Sequence, residues 1–250
     1  MIEFRNIKKS FGERVILDGV SLSARDGEVL FIVGTSGVGK SVLIKQVVGF
    51  LRPDSGAIFV DGKDVTALSE REFFAVRKQC ALVFQQPTLF DSMSCLKNVA
   101  LPLIKHRAAQ GGARDALDRA SELLARVGME DYCDAFPHEL GEGLRKRIAI
   151  ARALGLGPRY LLLDEPTTGL DPASARQVDT LVRQLAVESG VTCVVVSHDL
   201  TSIFGIADRV AMLYKGIVWT QGTPDQLRSN PDPAVQQFTS GAPDGPLETT

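Results

Sequence analysis

Three short groups of residues have the types and spacing to do chemistry. The first, Gly34-Thr35-Ser36-Gly37-Val38-Gly39-Lys40-Ser41, follows the spacing G-x-x-x-x-G-K-[ST]. In that pattern the glycines let backbone N–H groups turn inward around phosphate oxygens. Lys40 is then placed to reach the β- and γ-phosphates of a nucleotide as a point charge, and the Ser41 hydroxyl to take a coordination position on Mg²⁺. The second group is Asp164-Glu165, where the apolar run Tyr160-Leu161-Leu162-Leu163 ends in two carboxylates. Downstream of a phosphate loop, the first acid suits a water-mediated hold on Mg²⁺, and the second suits orienting and deprotonating an attacking water. The third is Ser197-His198-Asp199, closing the run Val191-Thr192-Cys193-Val194-Val195-Val196. A histidine there can contact a γ-phosphate or hold a general base in orientation. His106 and His138 lack such a setting and read as structural.

All three groups stand at the ends of apolar runs that read as strands, and in open α/β sheets ligands gather at the carboxyl ends of strands. The run Val29-Leu30-Phe31-Ile32-Val33 leads into the phosphate loop, and Val42 to Val48 reads as a helix whose positive dipole end points at the bound anion. By the same logic Cys80 to Phe84 is a strand delivering Gln85, although Gln85 taken alone also reads as part of an ordinary capped loop. Nearer the N-terminus, Ile2 to Phe4 and Val15 to Leu22 suggest antiparallel strands, broken by turns at Gly12, Asp18-Gly19 and Asp26-Gly27. Phe11, beside Gly12, is either a core residue or a platform for a nucleotide base. Pro53 to Gly56 is a turn, Ala57 to Val60 a strand and Asp61-Gly62 another turn. From about Asn98 to Leu156 the pattern turns helical with a Gly111-Gly112 interruption, an insertion into the α/β body. No internal repeat or low-complexity segment stands out.

The chain has 250 residues, 44% of them hydrophobic and 23% charged, enough for one large α/β domain or two small ones. A net charge of -2 argues against a general nucleic-acid binder. The cysteines Cys80, Cys95, Cys133 and Cys193 show no metal-ligand spacing, and a reduced, cytosolic compartment is the simpler reading. No apolar run approaches the length of a membrane span, and Met1-Ile2-Glu3-Phe4-Arg5 lacks a signal-peptide hydrophobic region. Any membrane role must come through a partner.

The order of these motifs resembles the ATP-binding subunit of ATP-binding cassette (ABC) transporters over nearly the whole chain. The resemblance implies a P-loop NTPase core with a small antiparallel N-terminal β subdomain and a helical subdomain inserted at about 87–157, the cassette spanning residues 2–238. It implies MgATP hydrolysis, with Phe11 stacked on adenine, residues 34–41 holding phosphate, Ser41, Gln85 and Asp164 on Mg²⁺, Glu165 as base and His198 as the γ-phosphate switch. Thr168-Gly169-Leu170-Asp171 stands at the dimer-contacting D-loop. By the same analogy two such subunits, in the simplest case identical, close head to tail around two ATP molecules beneath an integral membrane permease. The chain would then lie on the cytoplasmic side of the inner membrane, held there by that permease.

The family's signature, Leu-Ser-Gly-Gly-Gln, is altered to Leu140-Gly141-Glu142-Gly143-Leu144. The serine that would donate to the partner's γ-phosphate is missing, and Glu142 places like charge near an anion unless it turns away. The backbone N–H groups around Gly141 and Gly143 can still bind phosphate. Slow hydrolysis is the expectation, or a Glu142 turned outward to a partner.

Pro87 to Leu103, and the tail from Asn230 through Phe238 with Gly241 and Asp244-Gly245-Pro246, are similar to the Mla-type ATPase of phospholipid transport. That resemblance implies a periplasmic MCE (mammalian cell entry) lipid-binding partner. The tail, 239–250, reads as a segment ordered only by docking or as a disordered terminus. Two rival readings remain: the ATPase of a polar amino acid or other small-solute importer, and a soluble ABC protein acting on DNA or ribosomes.

Overall fold

Residues 1–107 and 112–247 are described in a computed structural model, where two sheets share the chain. The first is antiparallel: β1 (Ile2–Phe11) lies between β2 (Arg14–Ala24) and β4 (Ser55–Val60), with the short β5 (Lys63–Asp64) at the far edge. Both N-terminal strands run longer than their apolar segments suggest. Register shifts between Phe4 and Ile7 and between Lys9 and Ser10 break the period-two pattern, while Phe11 pairs with Arg14 across a turn in which Gly12 has φ +60°.

The second sheet carries the chemistry. Its strands are β3 (Val29–Val33), β6 (Cys80–Val83), β7 (Tyr160–Asp164), β8 (Thr192–Val196), β9 (Arg209–Tyr214) and β10 (Ile217–Gly222), in the order β10-β9-β3-β8-β7-β6. All neighbours pair in parallel except β10 with β9. Every residue of β3, β7 and β8 is buried, as a strand covered on both faces must be. Alternation still sorts them. Val29, Phe31 and Val33 join one core with Leu161, Leu163, Cys193 and Val195, whereas Leu30 and Ile32 join a second core with Leu162, Val194 and Val196.

The second core packs against the antiparallel sheet, α1 (Lys40–Val47) and α2 (Glu70–Gln79). The first is covered by α3 (Cys95–Arg107), α4 (Gly112–Arg126), α5 (Glu142–Leu154) and α6 (Pro172–Ser189). The first three of these lie between β6 and β7. Of the Gly111-Gly112 interruption, Gly111 falls outside the described residues and Gly112 opens α4. Asp171 caps α6 by accepting from the Ala173 and Ser174 amides, Pro172 occupies the first turn, and Gly190 ends the helix at φ +64°.

After α7 (Leu200–Ile206), β9 and β10, the chain forms α8 (Pro224–Arg228) and α9 (Pro233–Ser240). Residues 241–247 then double back. Gln237, 6% exposed, donates to the Leu247 carbonyl at 3.3 Å and accepts from the Leu247 amide at 2.7 Å, and the Tyr214 hydroxyl donates to the Pro246 carbonyl. Leu247 itself is buried in the first core. Through residue 247, then, the polar tail packs against its own chain.

Candidate functional site

The phosphate loop runs from the end of β3 to the start of α1, and its glycines are there for space as well as for torsion. A Cβ on Gly34, at φ +141°, would stand 2.4 Å from the Leu213 carbonyl oxygen, and one on Gly39, at φ +107°, would stand 2.6 Å from Leu17 Cδ2. Gly39 also sits at the N-cap of α1 without a side-chain cap, leaving that end to an anion. Lys40 is 6% exposed, and its Nζ donates to the carbonyls of Gly34 and Thr35 at 2.9 and 3.0 Å. Burial pulls its pKa down, against the opposing pull of Glu165 and Asp164.

Both acids of the second group are buried at the end of β7. Ser41 Oγ donates to Asp164 Oδ1 at 2.5 Å, and Lys45, one turn along α1, sets its Nζ 3.2 Å from Asp164 Oδ2. Glu165 takes φ +50°, a left-handed backbone rare for a non-glycine residue, and its amide donates to the Val196 carbonyl on neighbouring β8. That turn brings Glu165 Oε1 to 3.9 Å from Lys40 Nζ and Oε2 to 2.9 Å from His198 Nδ1, with the Thr168 hydroxyl donating to Oε2 at 2.9 Å.

Around these groups opens a cleft of 670 Å³. Phe11, Gly34 to Gly37, Gly39 to Ser41, Gln85, Glu165 and His198 all line it, so residues far apart in sequence meet at one place. Asp164 joins through Ser41, and Val38 lines an adjoining cleft instead. Gly141, Gly143 and Asp171 do not line the cleft of their own chain; they lie where α5 and α6 begin, with Gly143 against Ser174. Phe11 is 48% exposed, its ring 5.4 Å from Lys9 Nζ, and it therefore lies outside both cores.

Several participants carry no motif. Arg14 and Phe238 line the cleft, and Lys146 of α5, 1% exposed, donates its ammonium to the Gln85 carbonyl. Burial lowers the pKa of Lys146. Lys45 was within reach of sequence reading, since it falls four residues after Ser41 on the same helix.

The comparisons with known proteins agree with this geometry. A family model described as ABC transporter matches residues 17–168. The methionine import ATP-binding protein MetN of Leifsonia xyli subsp. xyli is 42% identical over 233 residues, covering 92% of this chain and 68% of that protein. The intermembrane phospholipid transport system ATP-binding protein MlaF of Escherichia coli K12 is 36% identical over 247 residues, covering 99% of this chain and 91% of that protein. Among solved structures, the dimeric post-hydrolysis state of the ATP-binding cassette MJ0796 bound to ADP and Pi superimposes with a TM-score of 0.81 at 31% identity, covering 90% of this chain and 99% of that one. CbiO1 of Clostridium perfringens, part of the transporter complex cbiONQ, gives 0.84 at 30% identity, covering 92% and 90%. A phosphate loop, an acid pair and a histidine gathered in one cleft, on a fold shared with these cassettes, leave one conclusion: the chain belongs to the ABC transporter family, as an ATP-binding subunit that hydrolyses ATP.

Proposed function

We propose that this chain drives phospholipid transport, as the ATPase of a separate integral permease coupled to an MCE-type lipid-binding protein. One observation carries the lipid reading: the alignment with MlaF covers 99% of this chain and so takes in the C-terminal return that docks on α9. A groove of 330 Å³ next to Gln85 in sequence, lined by Phe84, Pro87, Phe90 and Leu101 together with the basic Arg77, Lys105 and Arg152, suits a permease segment that carries apolar and acidic side chains. No helix among the described residues is long and apolar enough to cross a membrane. A second reading, the ATPase of a small-solute importer, is favoured by the 42% identity to MetN.

In the proposed mechanism Lys40 and the loop amides neutralise the β- and γ-phosphates. Ser41 Oγ and Asp164 Oδ1, hydrogen-bonded to each other, and Gln85, which lines the same cleft as Ser41, supply the hard oxygen donors Mg²⁺ prefers, and these residues would hold it. When bound, the ion supplies neutralisation of charge on the transferring phosphate. Glu165 orients the attacking water and takes its proton, while Thr168 and His198 fix the carboxylate from two sides. Two copies close head to tail, each offering the Gly141 to Leu144 turn and Asp171 to the other's nucleotide, which accounts for their place outside the cleft in one chain.

The deciding experiment is purification of the tagged chain from its own membranes in mild detergent, with mass-spectrometric identification of the proteins and lipids that accompany it. A polytopic permease with an MCE protein and phospholipid is the expected result. A soluble solute-binding protein in place of the MCE protein would give the second reading instead.

A further inference from the structure

The cleft has a wall that belongs neither to the phosphate loop nor to the acid pair. Phe238, on α9, lines it together with His198 and Gln85, although it lies 40 residues beyond the histidine. The helix that carries it is short, eight residues, and is fixed by the segment 241–247 that returns against it. The buried Gln237 amide grips Leu247 through both its donor and its acceptor. Gly245, at φ +155°, passes so close that a Cβ there would stand 2.3 Å from Gln237 Oε1. The return is pinned a second time where the Tyr214 hydroxyl donates to the Pro246 carbonyl. Tyr214 directly follows Leu213, whose carbonyl closes over Gly34 of the phosphate loop. The return therefore bears on the cleft from two directions, through Phe238 and through the end of β9.

We propose that residues 233–247 are a working part of the nucleotide site: Phe238 supplies an apolar wall against the bound nucleoside triphosphate, and the 241–247 return, clamped through Gln237, holds that wall in place. The proposal rests on the cleft being the nucleotide site. An apolar ring at this position excludes water from the phosphate end and adds contact area without adding charge. Displacing the return lets α9 withdraw and loosens the nucleotide without touching any charged residue.

The test uses the full chain, with ADP affinity by calorimetry and ATP turnover at steady state. Phe238→Ala is expected to raise the ADP Kd and the ATP KM by roughly three- to tenfold, the factor for losing one aromatic contact, with kcat changed far less. Phe238→Leu is expected to recover most of the loss. Gly245→Ala, which forces the Gln237 clamp apart, is expected to shift Kd in the same direction. An unchanged Kd in Phe238→Ala overturns the wall, and an unchanged Kd in Gly245→Ala overturns the clamp. Should Phe238→Ala fold poorly, the rise in Tm on adding ADP is compared between Phe238→Gln, which keeps length but not the apolar ring, and the native chain: a smaller rise supports the contact and an equal one overturns it. Lys40→Ala separates the premise, because retention of full ADP affinity in that variant would mean the cleft is not the nucleotide site.

Discussion

The Glu142 carboxylate lies 2.6 Å from the Arg145 guanidinium, one turn along α5. The acid that replaces a signature glycine is therefore turned onto its own helix and neutralised there, which answers the repulsion expected from sequence. Both side chains are about a third exposed, so the pair adds only about 0.3–0.5 kcal/mol to stability. Its consequence is electrostatic, at whatever anion the start of α5 meets. Arg145→Ala should cut ATP turnover of the assembled transporter by about tenfold with little change in Tm, while Gly141→Ser with Glu142→Gly should raise it by at least about tenfold. Turnover rates of the two purified complexes beside the native one check this, and equal rates would remove any role for the pair.

The two glycines of the altered signature should respond differently to alanine. A Cβ on Gly143 would stand 2.8 Å from Ser174 Cβ, whereas one on Gly141 meets nothing within 4 Å. Gly143→Ala is expected to destabilise the chain by about 1–3 kcal/mol by wedging α5 from α6. Gly141→Ala should cost less than about 1 kcal/mol. Urea unfolding of the two variants gives the comparison.

Glu165→Gln keeps the shape of the side chain and its acceptor for Thr168 but removes the proton-accepting charge. Turnover should fall by about two to three orders of magnitude while ATP affinity is retained, so that bound ATP is trapped. Rapid filtration with radiolabelled ATP reads both quantities, and full hydrolysis by the variant would remove Glu165 as the base.

Asp179 of α6 is 9% exposed and accepts from the Ser202 hydroxyl at 2.8 Å. Burial pushes its carboxyl up to about 6, with Asp199 nearby adding to the rise and the Ser202 hydrogen bond opposing it. A carboxyl whose folded pKa exceeds its unfolded value holds its proton more tightly when folded. Its contribution is fully present below the unfolded pKa and is lost as pH rises through about 6. Asp179→Asn should therefore be more stable than the native chain at pH 7 to 8, by up to about 3 kcal/mol, with the gap closing below about pH 4. Chemical denaturation across that range checks the sign.

Much of the site was legible because each chemical group follows an apolar run: the loop after Val33, the acids after Leu163, the histidine after Val196. Which strands are neighbours was not legible, since pairing of β3 with β8 and β9 is settled by packing over long separations. The run Val210 to Leu213, fully buried, carries no chemical residue, and β9 and β10 went unread for that reason. Thr168 reaches Glu165 only because of the left-handed turn at the acid, and Lys146 reaches Gln85 only because α5 packs across β6. The return at 241–247 was hidden by its polar composition; the buried Gln237, the Tyr214 hydroxyl and a single buried leucine, Leu247, hold it, and no hydrophobic periodicity reports these.

The place of β3 also dictates when the protein can form. Its partners on either side, β8 and β9, begin at Thr192 and Arg209, so the strand that carries the phosphate loop has no neighbour in its sheet until most of the chain has been made. At ordinary rates of synthesis that wait is roughly ten to thirty seconds. Throughout it the apolar segment Val29 to Val33 must be shielded on the ribosome. Nascent chains halted before Thr192 should be protease-sensitive across this strand and bound by chaperones, and protection should arrive only once Tyr214 has cleared the exit tunnel.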